Sequence, residues 1–122
     1  MLALVPDLLF GSRVQGALAA AGDEVELIGD VPQLRERLSA VHEPRAQVLV
    51  VDLTDAQLDG AAVRESLAGH GLLEGVKTLA FYSHVDVETG QRAREAGFDV
   101  VVPRSRMARE GAELVARLAG DR

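Results

Sequence analysis

Apolar positions along the chain switch between two spacings: short continuous runs and one-sided helical stripes. Leu2 to Val5 is an apolar run that stops at Pro6. A helical stripe follows, with Phe10, Val14, Leu18 and Ala21 on one face and Gly22 as its C-cap. Ser12 with Gln15 fits a capping box, which predicts that the regular helix begins at Ser12. Glu24 to Ile28 reads as a second strand. Asp30 then fits an N-cap, with Pro32 in the first turn and Leu34, Leu38 and Val41 on one face. Ala46 to Leu53 holds Val48-Leu49-Val50-Val51, the most strand-like stretch, and its unbroken apolarity suits a strand buried on both faces. A helix around Ala61 to Ala68 follows, with Leu58, Ala62 and Leu67 directed to the core, and Gly69-His70-Gly71 breaks it. Lys77 to Tyr82 is a fourth strand, Glu88 to Ala96 a polar helix ending at Gly97, and Val100 to Val102 a fifth strand. A last helix from about Ser105 turns Met107, Leu114, Val115 and Leu118 inward.

Five β-α units in strict alternation predict a three-layer α/β/α fold. Each right-handed crossover must lay its helix back on a parallel sheet. The expected strand order is 2-1-3-4-5, the flavodoxin-like arrangement, in which ligands bind at the carboxyl ends of the strands beside strand one. Those ends hold Pro6-Asp7, Asp52, Ser83-His84 and Pro103-Arg104. With 122 residues, the chain fits one domain over 1–122.

Composition narrows the chemistry. There is no cysteine, which excludes a disulfide framework, a Cys-based zinc site and a thiol nucleophile. The net charge of −6 argues against non-specific binding to nucleic acid or to a membrane surface. No apolar run approaches the roughly 20 residues of a membrane span, so a cytoplasmic protein is expected. Of the 13 basic residues, only Lys77 is a lysine; the rest are arginines.

The strand ends carry a resemblance that covers essentially the whole chain. Val48 to Leu53, Leu79-Ala80-Phe81-Tyr82-Ser83 and Ala96-Gly97-Phe98-Asp99-Val100-Val101-Val102 resemble strands three to five of the response-regulator receiver domain family (CheY-like), the phosphoacceptor half of two-component signalling. The resemblance implies Asp52 as the candidate phosphoacceptor, Ser83 and Arg104 at the positions that contact the phosphoryl group, and Asp7 with Asp52 as a candidate weak Mg2+ site. Asp30, after strand two, is a further candidate acid.

The same alignment shows departures. The family's acidic pair is Pro6-Asp7 here, so one carboxylate is missing. The family's lysine falls on Arg104, preceded by Pro103 and followed by Ser105. Lys77 starts strand four, five residues or about 16 Å from its other end, too far to substitute. A planar guanidinium is no replacement for a compact ammonium at a tight site. The family's switch aromatic on strand five is Val101 here. Against the phosphoacceptor reading, Asp52 is otherwise a strand-end carboxylate that accepts from loop amides, and the missing lysine and acid favour that alternative.

Other constellations are weaker. His42, His70 and His84 fall in separate units without metal-like spacing, and Asp86 fits the N-cap of the fourth helix better than a partner for His84. Arg92, Arg94, Arg106 and Arg109 could form a basic stripe, although Glu95, Glu110 and Glu113 are interleaved. Phe10-Gly11-Ser12-Arg13 could cradle a nucleotide or flavin phosphate at a helix N-terminus.

These observations point to a degenerate receiver, or pseudo-receiver, that is not an enzyme and acts by protein-protein interaction without ordinary aspartyl phosphorylation. The resemblance implies that output runs through a partner, a signalling protein or kinase, at the face of helix four, strand five and helix five, roughly Thr89 to Leu118, and that a homodimer through that face is natural. Arg92 and Arg109 are its candidate contacts. The alternatives are a working phosphoacceptor at Asp52 with Mg2+, and a flavodoxin-like small-molecule or nucleotide binder using Phe10 to Arg13.

Overall fold

The most strand-like stretch of the sequence, Val48 to Val51, lies at the centre of the sheet. A computed structural model of the chain describes residues 1–20, 22, 24–39, 48–54, 58–83 and 85–120. In chain order the elements are β1 (Leu2–Leu4), α1 (Leu8–Ala20), β2 (Glu26–Ile28), α2 (Val31–Ser39), β3 (Val48–Asp52), α3 (Gly60–Gly69), β4 (Lys77–Tyr82), α4 (Val87–Ala96), β5 (Val100–Pro103) and α5 (Arg104–Gly120). The sheet order is β2-β1-β3-β4-β5 and every pairing is parallel. All five residues of β3 are buried, as helices covering both faces of a parallel sheet require.

Alternation along the strands splits the core into two layers. Leu2, Leu4, Leu49, Val51 and Ala80 face a cluster closed by Leu34 and Leu38 of α2, Leu67 of α3 and Ala93 of α4. Ala3, Val48, Val50, Leu79, Phe81 and Val102 face the other cluster, closed by Phe10, Val14 and Leu18 of α1 and Met107, Leu114 and Val115 of α5. Leu118 packs at the edge of that second cluster. The parity of β3 puts Asp52 on the face covered by α1 and α5. Among the described residues no helix is long and apolar enough to cross a membrane.

Several boundaries differ from the sequence pattern. Helix α1 starts at Leu8, one turn before Ser12, because the Asp7 side chain caps it: Oδ1 accepts from the amides of Leu9 (3.0 Å) and Phe10 (3.2 Å). Gly11 donates its amide to the Asp7 carbonyl at 2.8 Å. Phe10 to Arg13 is therefore regular helix, and its amides are not free to cradle a phosphate. In α3 the inward residue is Ala61, while Ala62 is exposed. The expected cap at Asp30 is present, with its Oδ1 accepting from the Gln33 amide at 2.8 Å. Gly97 ends α4 in the left-handed conformation, φ 100°, that favours glycine. The expectations placed on Ala21, Val41, His42, Ala46, Gln47 and His84 lie outside the described residues.

Candidate functional site

Because all strands run parallel, their carboxyl ends converge on one edge, where a cleft of about 740 Å³ opens. Pro6, Asp7, Phe10, Asp52, Thr54, Ser83, Arg104, Ser105 and Ala108 line it. The cleft thus brings together Asp7, Asp52, Ser83 and Arg104 from four separate strand ends. Asp30 is not among its lining residues; its carboxylate is spent on capping α2.

Asp52 ends β3 and is 0% exposed. Its Oδ1 accepts from both the amide (2.7 Å) and the hydroxyl (2.6 Å) of Thr54. Its Oδ2 is buried without a hydrogen-bond partner among the described residues. Burial pushes the Asp52 pKa above its ordinary 3.8, because desolvation disfavours the charged form. The Thr54 hydrogen bonds and the charge of Arg104 oppose that rise, and the negative charge of Asp7 adds to it.

Asp7 is held the other way. Its Oδ1 caps α1, and its Oδ2 accepts from Arg104 Nη2 at 3.3 Å. The Phe10 amide is the main cause that lowers its pKa, with smaller contributions from the Leu9 amide and Arg104 outweighing its own desolvation. Arg104 is the first residue of α5, and its Cζ lies 4.0 Å from the centroid of the Phe10 ring. A guanidinium over an aromatic face contributes about 0.5–1 kcal/mol at an exposed site. The Phe10 ring in turn packs on Phe81, centroids 5.1 Å apart, and Phe81 is the register partner of Asp52. Arg104 is therefore fixed from below by a ring and from the side by a carboxylate.

Thr54 is the polar site residue that sequence reasoning missed. The signal for Thr54 was local: an Asp followed two residues later by Thr is the pattern of an Asx turn. Phe10 was read as core and as part of a phosphate-binding loop, not as the ring beneath Arg104.

Lys77 sits at the opposite end of the sheet, paired with Val48 at the start of β3, whereas Asp52 pairs with Phe81. The four-residue offset is about 13 Å. Val101 is half-buried and packs on the cluster under α4. The rings in that layer belong to Tyr82 of β4 and to Phe98.

Magnesium, the ion this fold family implies, fits these residues poorly. It needs oxygen ligands in near-octahedral geometry. Both carboxylate oxygens of Asp7 and one of Asp52 already have partners, and proline occupies the second acid position. Among the described residues no group of three His, Cys, Asp or Glu side chains converges to hold a metal. A divalent ion here would also face the guanidinium of Arg104.

The arginines on α4 and α5 do not form an open basic stripe. Arg92 pairs with Asp59 (2.8 Å), Arg106 with Glu110 (3.3 Å), Arg109 with the same Glu110 (3.9 Å) and Arg117 with Glu113 (2.8 Å). Arg94 lies over the Tyr82 ring, its Cζ 5.7 Å from the centroid. Asp86 caps α4 through the Thr89 amide at 3.2 Å.

No protein-family model matches the chain, and no curated protein matches it in sequence. Solved structures do match in fold. The receiver domain of NtrX from Brucella abortus superposes with a TM-score of 0.82 at 15% identity, covering 99% of this chain and 98% of that one. The chemotaxis response regulator CheY4 of Vibrio cholerae gives 0.77 at 17% identity, over 96% and 95%. The phosphorylated cyanobacterial phytochrome response regulator RcpA gives 0.79 at 12% identity, over 99% and 94%. The chain has the fold of the response-regulator receiver domain.

Proposed function

We propose that this chain is a signalling module of the receiver fold that works through protein-protein contact and does without ordinary aspartyl phosphorylation. The observation that supports this best is Arg104. It stands where the resemblance expects a lysine, and its guanidinium is bound down on Asp7 and Phe10 instead of being free for a phosphoryl group on Asp52. Phosphoryl transfer depends on positive charge placed on the developing oxyanion. Here the one lysine is at the far end of the sheet, and the second acid is proline. Burial raises the Asp52 pKa and so works against the charged carboxylate, the form that attacks a phosphoryl group. The proposed contact surface is the face of α4, β5 and α5, toward a signalling protein or a second copy of the chain.

One observation favours the other reading: Asp52 and Ser83 do share an open cleft. Intact mass after incubation with acetyl phosphate and Mg2+ separates the two, with Asp52→Asn as control. No adduct is expected on either protein. A phosphoryl adduct on the wild type that Asp52→Asn lacks would establish the phosphoacceptor reading in its place.

A further inference from the structure

We infer that Arg104 is the resident cation of the cleft: it occupies Asp7, stands in for a divalent ion, and its removal frees a carboxylate oxygen at which such an ion can bind. The inference deepens the reading above and rests on it only in taking the strand-end cleft as the centre of the molecule's chemistry.

Four observations carry it. Asp7 Oδ2, the one oxygen of that residue not used by helix α1, accepts from Arg104 Nη2. The guanidinium carbon lies 4.0 Å from the Phe10 centroid, so the arginine is seated on a ring as well as on a carboxylate. Asp52 Oδ2 is buried and without a hydrogen-bond partner among the described residues, a carboxylate oxygen with unused capacity on a residue that lines the same cleft. Asp52, Asp7 and Arg104 line the same cleft, and Arg104 acts electrostatically on both acids. Two carboxylates in one cleft repel each other and call for a positive charge between them. The chain supplies that charge covalently, from the first residue of α5. A guanidinium is always charged, so this neutralisation does not depend on ion concentration. A divalent cation arriving here would have to displace Arg104 from Asp7 and then sit beside it.

The test uses the full chain, freed of metal, and titrates it with MgCl2 and with MnCl2 in a calorimeter, with thermal unfolding as a second readout. Arg104→Met removes the charge and keeps an unbranched stem over Phe10; Arg104→Gln is the second variant, should Met disturb folding. Wild type is expected to give no saturable binding and no metal-dependent rise in Tm. The charge-free variants are expected to bind saturably, at least about tenfold more tightly than the weakest affinity the titration detects, equivalent to 1.4 kcal/mol, with a Tm that climbs with metal concentration. Asp7→Asn added to Arg104→Met should erase the gain. The inference is overturned by wild type that binds as tightly as the variants, by variants that gain nothing, or by a gain that survives Asp7→Asn. None of these results depends on phosphorylation. A wild type that binds Mg2+ yet takes no phosphoryl group defeats this inference alone, and an adduct formed without metal binding defeats only the proposed function.

Discussion

A carboxylate sealed into a parallel sheet must be stabilised locally or give up its charge, and Asp52 is only half provided for. Thr54 satisfies one oxygen, and the other has no hydrogen-bond partner among the described residues. Burial raises its pKa in the folded state, with a sign that fixes the pH dependence. A raised pKa contributes stability that is complete below 3.8 and is lost as pH climbs through the folded value. Asp7, Asp59 and Asp86 act in the opposite sense: hydrogen bonds lower their pKa, so their contribution is present above 3.8 and lost as pH falls. Asp52→Asn isolates the first effect, because amide and acid have nearly the same shape. Urea unfolding from pH 4 to pH 8 should show the variant gaining on wild type as pH rises above 3.8 and then levelling off. A difference that stays constant with pH would mean that Asp52 titrates alike in the folded and unfolded chain.

Among the elements, the glycines separate packing from propensity. Gly90 lies in α4 against the Tyr82 ring, where an added Cβ would sit 2.8 Å from Tyr82 Cζ. That is too close for an unmoved ring. Gly16 lies in α1 with nothing within 4 Å of such a Cβ. Gly90→Ala is therefore expected to cost roughly 1–3 kcal/mol by overpacking, and Gly16→Ala to stabilise by about 0.4–1 kcal/mol. Chemical denaturation measures both. Because Tyr82 is the chain's one tyrosine and there is no tryptophan, its fluorescence reports displacement of the ring in Gly90→Ala directly. Equal effects of the two substitutions would remove the packing argument. Neither environment was legible in the sequence, where both glycines are isolated residues inside helical patterns. The boundaries of β4 were legible, because Lys77 and the Ser83-His84 break frame an apolar run. The start of α1 was not. Ser12 was read as the cap, whereas the Asp7 side chain accepts from the free amides of Leu9 and Phe10 and starts the helix one turn earlier.

At the scale of the whole molecule, strict alternation of apolar runs and helical stripes was enough to specify the layers and strand order, because crossover handedness leaves few other solutions. It was also enough to bring Asp7, Asp52, Ser83 and Arg104 to one edge. What it could not supply was who bonds to whom across that edge: the Arg104–Asp7 pair spans 97 positions. The same limit applies to the proposed contact face. In sequence its arginines look available, whereas in the fold Arg92, Arg94, Arg106, Arg109 and Arg117 all have partners within the chain. Exposed ion pairs of this kind contribute only about 0–1 kcal/mol each, so they tune a surface more than they define it. The unusual feature next to that face is apolar: Val85 and Val87, 77% and 70% exposed, flank the cap of α4. These two solvated valines, one residue apart at a helix start, are the apolar candidates for the proposed contact with a second copy. Self-association measured by sedimentation should therefore be abolished by Val85→Ser/Val87→Ser and barely altered by Arg109→Glu or by added salt, because screening acts on charges and leaves apolar contact intact. Association that collapses in salt and in Arg109→Glu would return the contact to the arginines. A wild type that stays monomeric at every concentration would eliminate the second copy as the partner and leave a different protein in that role.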